Sequence, residues 1–247
     1  MSRTILTTDR IPVTSQGKTD TKAVAITNAS GKYVWSTADI PASDVFTFSA
    51  WVYVRDISTS PVVIQSDSGK VSLQILSDGR ARIAGYNSTP TLRVRAETVA
   101  GGITLNTWHH ILMAVNVGAG AADNLTYLDN EESNGADKYL AATDAVDFSG
   151  AAWSFGLTAN NDWDIAELWF GPGFFLDVSD STVRERFIKN GRPVELGSEG
   201  QNPLDGKDAP YAYFSGDASD FFINRGKGPD LTDSSMSPAA ADASSIP

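Results

Sequence analysis

From Ala23 to about residue 175 the chain consists of short runs of β-branched and aromatic residues separated by turn-forming dipeptides, a texture that predicts strands. Over 46–54, Phe46, Phe48, Ala50, Val52 and Val54 alternate with Thr47, Ser49, Trp51 and Tyr53, the period-two signature of a strand with one face in a core. Val71, Leu73 and Ile75 alternate with Ser72 and Gln74; Asp78-Gly79 then supplies the positive-φ turn of a tight hairpin, and Ala81 and Ile83 lead back. Leu92, Val94 and Ala96 alternate with Arg93, Arg95 and Glu97, which predicts a strand whose outer face is wet and charged. The near-continuous apolar run over 108–115 is expected of a strand covered on both sides. Asn124–Leu128 ends in a second hairpin-like turn, Asp129-Asn130, and segments 153–157 and 163–170 complete the series.

With no amphipathic helix between these segments, the expected fold is all-β, an antiparallel β-sandwich of the jelly-roll kind. One short helix is expected near the start of the C-terminal third. Ser179 or Asp180 caps it, Val183, Phe187 and Ile188 share one face, and Asn190-Gly191 is its stop. Residues 1–22, rich in Thr, Ser, Asp and Gln, form an N-terminal arm, either a loose terminus or a segment that docks on a neighbour. The sandwich occupies 23–191. The remainder, 192–247, is an extension packed on the sandwich or on a partner, because Tyr211, Tyr213, Phe214, Phe221 and Phe222 are too many aromatics for a disordered tail. From Ser234 onward it is a mobile or docking tail, and no internal repeat points to a solenoid.

Composition narrows the function classes. A chain of 247 residues with 41% hydrophobic content has material for one sizeable core. Thirty acidic against 19 basic side chains give a formal charge of −11, which sets the long-range field against nucleic acid. The absence of cysteine excludes disulfides, thiolate metal sites and thiol nucleophiles. The start of the chain turns polar after Leu6, so no secretory signal is read there and synthesis in the cytoplasm is expected. No apolar run approaches the roughly 18 residues of a membrane span, so no membrane partner is expected.

Over about residues 23–190 the order of elements resembles the concanavalin A-like superfamily in its laminin-G-like form. The likeness rests on Phe46-Thr47-Phe48-Ser49-Ala50-Trp51-Val52, on Trp108-His109-His110-Ile111 followed by Leu125-Thr126-Tyr127-Leu128-Asp129, and on Asp164-Ile165-Ala166-Glu167-Leu168-Trp169 followed by a short helix. It implies two packed antiparallel sheets. The stretch from Asn190 to Gly226 is similar to extensions that accompany such domains in bacteriophage structural proteins. This implies a virion component, in capsid decoration, tail or fibre, made in the host cytoplasm, with other virion proteins and copies of itself as partners.

Three chemistries are weighed. Asp162-Trp163-Asp164-Ile165-Ala166-Glu167 is similar to the acidic strand motif of laminarinase-type hydrolases, whose carboxylates serve as nucleophile and acid/base about 5–5.5 Å apart in retaining enzymes. Asp162 stands where that family has a glutamate, and Glu167 faces away from Asp162 and Asp164 unless a bulge intervenes, for which no glycine is present. Catalytic residues are therefore not assigned. A glycan reader would stack sugars on Trp51, Tyr53, Trp163 or Trp169, each of which has a competing role in packing. Its polar partners would be Asp129, Asn130, Asp162 and Asp164, which are also the oxygen donors for calcium if calcium organises the site; no other cofactor is called for. His109 and His110 point to opposite faces and cannot converge on one atom. Gly118-Ala119-Gly120 and Gly226-Lys227-Gly228 read as turns. Virion assembly without catalysis is the leading expectation, a carbohydrate-binding module the alternative, and a hydrolase the remote one.

Overall fold

The structure, a computed structural model, describes residues 21–27, 33–35, 40–66, 68–117, 124–136, 138–141, 144–149, 153–155, 162–232, 239–241, 243 and 246. Residues 1–20 of the arm, the Gly118-Ala119-Gly120 turn and Asn160-Asn161 lie outside this set.

Two antiparallel sheets face each other. The first is built from β1 (Ala23–Thr27), β3 (Val45–Val54), β8 (Trp108–Asn116), β9 (Asn124–Leu128), β10 (Glu131–Glu132), β13 (Asp162–Pro172), β16 (Ala212–Phe214) and β17 (Ala239–Ala241). Its order is β10-β9-β8-β3-β13-β1-β17, with β16 also on β13. The second comprises β2 (Tyr33–Trp35), β4 (Val62–Ser66), β5 (Val71–Ile75), β6 (Ala81–Tyr86), β7 (Leu92–Glu97), β11 (Tyr139–Leu140) and β12 (Trp153–Phe155). It runs β11-β7-β6-β5-β4-β12-β2. Among the described residues no helix is long and apolar enough to cross a membrane.

The alternation read from the sequence places the core. Phe46, Phe48, Ala50, Val52 and Val54 meet Val71, Leu73, Ile75, Ile83, Val94 and Ala96 of the facing sheet. Phe46, Phe148, Trp153 and Phe170 form a run of ring contacts with centroids 5.4–6.4 Å apart, a geometry that adds to the burial of each ring. The Asp78-Gly79 hairpin forms, with Gly79 at φ 76°. Asp129 and Asn130, at φ 53° and 72°, make the left-handed turn after β9.

Two expectations are corrected. The helix is a single turn, α1 (Ser181–Arg184), capped by the Asp180 side chain on the Thr182 N–H. Asn190-Gly191 does not stop it. These residues form the left-handed turn, φ 53° and 74°, of a small hairpin pairing β14 (Ile188–Lys189) with β15 (Arg192–Pro193), the use for which Asn-Gly is best suited. Glu97 on β7 does not face water: it is fully buried and held by Arg80 at 2.6 Å and by Arg82.

The outer face of the first sheet is covered, in keeping with the apolar run over 108–115. Segment 173–232 folds back over it, so that Leu112, Ala114, Tyr127 and Trp169 pack against Val178, Phe187, Leu196 and Tyr213. Beside them Trp51 and Trp108 pack with Ala166, Ile188 and Ile246. The tail contributes β17, which pairs with β1 and lies beyond it at the edge of the sheet.

Candidate functional site

β13 has β3 along one flank over most of its length. On the other flank β1 pairs with residues 162–165 and β16 takes over at 168–170. Where the neighbour changes, the register against β3 slips by one residue between Ala166 and Trp169. This is a β-bulge, and its extra residue is Glu167 at φ 48°, a left-handed conformation that costs a residue with a Cβ free energy. The bulge turns Glu167 to the outer face, where the alternation also puts Asp162 and Asp164, while Ile165, Leu168 and Phe170 stay in the inter-sheet core. The expectation that Glu167 faces away from the two aspartates is thus overturned. The missing glycine misled, because the fold imposes positive φ on a glutamate.

Glu167 is 3% exposed. One of its oxygens, Oε2, accepts a hydrogen bond of 2.9 Å from the Tyr213 hydroxyl. Burial, reinforced by the Glu167 carboxylate, pushes the Tyr213 phenol well above its ordinary range, so it remains a donor at any physiological pH. Tyr213 is seated closely: a Cβ on Gly200, which has φ 74°, would come within 2.9 Å of its ring. The Gly200 carbonyl accepts from Trp169 Nε1 at 2.8 Å. Around Glu167 and Tyr213 opens a pocket of about 240 Å³ whose other walls include Lys22, Glu195, Ser215 and Arg225. It lies in the gap between the start of β1 and the end of β16.

The residues predicted as sugar platforms do not gather there. Trp163 is in the inter-sheet core, and Trp51 and Trp169 are sealed under the returning chain, all at most 2% exposed. Tyr53 is half-buried with the Arg55 guanidinium 4.9 Å above its ring. The competing role in packing thus claims the three tryptophans.

The oxygen donors proposed for calcium are likewise engaged and divided. Arg55 binds Asp164 through two bonds, of 2.8 and 2.5 Å, and reaches Asp162 at 3.2 Å. Asp129 takes His109 Nδ1 and the His110 N–H, both at 2.7 Å, and Asn130 accepts from Arg184 Nε at 2.9 Å. β3 and β8 lie between the two pairs. A divalent cation at Asp162 and Asp164 would face a guanidinium already occupying the site, so these residues do not fit calcium. Among the described residues no three His, Cys, Asp or Glu side chains cluster in a way that could hold a metal.

The same ion pair bears on acid/base chemistry. The Asp164 bond and charge raise the Arg55 guanidinium above its ordinary value, and a carboxylate so paired is held ionised as a structural counter-ion. His109 and His110 do diverge, although Asp129 touches both. His110 is buried beside Trp51, with Nε2 2.9 Å from Ser49 Oγ.

Of the pocket residues, sequence reasoning weighed only Glu167 for chemistry and took Tyr213 as one of the packing aromatics of the extension. One available signal was the alternation of Tyr211, Tyr213 and Ser215 with Ala212 and Phe214, a strand pattern that puts Tyr213 and Ser215 on one face.

A family model described as Laminin_G_3, concanavalin A-like lectin/glucanases superfamily, matches residues 27–162. No curated protein matches the chain. Among solved structures, a candidate carbohydrate binding protein from Bacteroides ovatus ATCC 8483 is similar with a TM-score of 0.54 at 13% identity, over 90% of this chain and 60% of that one. The chain therefore spans about three-fifths of that protein's length. The heptameric SAP-like pentraxin of Limulus polyphemus aligns with a TM-score of 0.45 at 9% identity, over 90% of this chain and 93% of its own. Domains LG4-5 of the mouse laminin alpha1 chain align at 0.41 and 13% identity, over 64% and 44%.

Proposed function

Because the chain belongs to the concanavalin A-like lectin/glucanases superfamily, matched over residues 27–162, we propose that it is a non-catalytic carbohydrate-binding module that reads sugar hydroxyls in the pocket around Glu167. The observation that carries this reading is Glu167 itself: a buried carboxylate, held at positive φ, tied to Tyr213 and lining a polar pocket. Backbone strain concentrates where structure serves a ligand.

A sugar hydroxyl both donates and accepts. Glu167, Glu195 and Ser215 provide acceptors, and Lys22, Arg225 and Ser215 provide donors. The volume is below the ~300–1,000 Å³ usual for drug-sized ligands, which suits a single ring. With the Tyr213 ring buried, recognition rests on hydrogen bonds more than on stacking. Hydrolysis is disfavoured, since Arg55 engages Asp162 and Asp164 and the face that a laminarinase-type cleft would use is filled by Trp169, Phe187 and Leu196.

A glycan array probed with and without calcium tests the proposal. Binding is expected without calcium, and Glu167→Gln together with Ser215→Ala is expected to weaken it about tenfold or more, as the loss of buried hydrogen bonds to a ligand does. An array silent under both conditions would refute the module.

A second reading, a virion structural protein carrying this pocket, is favoured by the packed fold of Asn190 to Gly226, the stretch that resembles extensions of phage structural proteins. Its partners would be other virion proteins and copies of the chain, and its place the virion. Light scattering that finds only monomer at high concentration, with no retention on purified virion proteins, would remove it.

A further inference from the structure

Next to the Glu167 pocket lies a second one of about 510 Å³, whose walls include Glu199, Lys207, Asp208, Arg225 and Lys227. Arg225 lines both, so the two pockets flank its side chain in one stretch of surface, a groove along the extension. Apart from Lys22, every residue named in its walls lies beyond the stretch 27–162 that matches the family model.

In a protein of formal charge −11 the second pocket runs the other way: Lys207, Arg225 and Lys227 stand against Glu199 and Asp208, an excess of one positive charge, while in the first Lys22 and Arg225 are balanced by Glu167 and Glu195. Asp208 is matched by Lys227. Arg225 is the under-satisfied member: its nearest carboxylate contact, Nη2 to Asp220, is 4.0 Å, and its Nε is buried with no acceptor. Its backbone is nevertheless fixed. The Arg225 N–H bonds the Tyr213 carbonyl at 2.9 Å, and the Asn224 side chain accepts from the N–H groups of Tyr213 and Gly226, each at 2.9 Å. The buried Nε is closed to a ligand as it is to water, but the rest of this 35% exposed side chain has no close carboxylate, and the acceptor that suits the open edge of a planar guanidinium is a carboxylate.

Resting on the carbohydrate reading, we infer that the two pockets take an acidic oligosaccharide, with one ring at Glu167 and a neighbouring uronate whose carboxylate pairs with Arg225 and lies within the field of Lys207. The acid group, and not the ring alone, then sets the choice among glycans.

The test uses the full chain and a panel of uronate oligomers (galacturonates, glucuronates and mannuronates), each paired with its carboxyl-reduced neutral counterpart, titrated by calorimetry. At low salt the acidic member of at least one pair is expected to bind about tenfold tighter or better, and this advantage should shrink as ionic strength rises and the charges are screened. Arg225→Met should abolish the acidic advantage with an unchanged melting temperature. Lys207→Met, at a residue that lines only the second pocket, should reduce the advantage. If neutral counterparts bind as well as the uronates, or if Arg225→Met keeps the preference, the inference fails while carbohydrate recognition stands. If no member of any pair and no neutral glycan binds, both fail.

Discussion

His110 shows how far burial governs a single side chain. Burial lowers its pKa from 6.5 to about 4, so the folded protein keeps the ring neutral where the unfolded chain protonates it. The unfolded state then binds more protons between those two values, and stability falls as the pH drops from 6.5 to about 4 and levels off below. The shift corresponds to roughly 3 kcal/mol. His110→Gln, neutral throughout and able to reach Ser49, is expected to flatten the unfolding free energy across that window in urea titrations at stepped pH; an unchanged slope would contradict the assignment. The sequence showed that adjacent histidines diverge, because strand geometry is local. The near-continuous apolar run over 108–115 also pointed to burial of both, but not to what packs above the strand. The same limit applied to the tryptophans. Alternation put Trp51 on the face opposite Phe48 and Val52, but only the folded extension determines that Trp51 and Trp169 are closed to solvent.

Individual elements were legible where pattern and turn chemistry agreed. The hairpin at Asp78-Gly79 is such a case, and Gly79 is needed there twice: φ is 76°, and a Cβ would stand 2.8 Å from the Ile103 carbonyl oxygen. Gly79→Ala is expected to cost roughly 1–3 kcal/mol in chemical denaturation, with the fold retained by circular dichroism. Asn190-Gly191 was misread because the dipeptide serves two purposes, ending helices and closing two-residue hairpins. The choice rested on Val183, Phe187 and Ile188 sharing a helical face, yet the helix ends at Arg184, and Phe187 and Ile188 are buried from an irregular turn and a strand. The bulge in β13 was invisible for a different reason. It is set by the exchange of β1 for β16 along one flank, a partner change made by residues far away in sequence.

For the molecule as a whole, the inter-sheet core follows from period-two alternation, whereas the filling of the outer face follows from a segment whose own pattern is irregular. That segment determines where a ligand can enter: it closes the broad face of the first sheet and leaves the groove at its own margin. Phe187 is central to the closure, 2% exposed and edge-on to Trp169 at 5.4 Å. Phe187→Ala is expected to destabilise the chain by about 3–5 kcal/mol, read as a lower urea midpoint. A loss under 1 kcal/mol would mean that the roof contributes little to folding.

The slip at Glu167 has a consequence for how this acid could be gained or shed. Because the strand carries one residue too many there, excising Glu167 would restore strict alternation and leave Ile165, Leu168 and Phe170 still pointing inward and Trp169 outward. Deleting that single codon should therefore yield a folded sandwich with a melting curve near that of the parent and no glycan binding. A residue dispensable to the architecture yet kept in a disfavoured conformation makes recognition a removable insertion in a scaffold that stands without it.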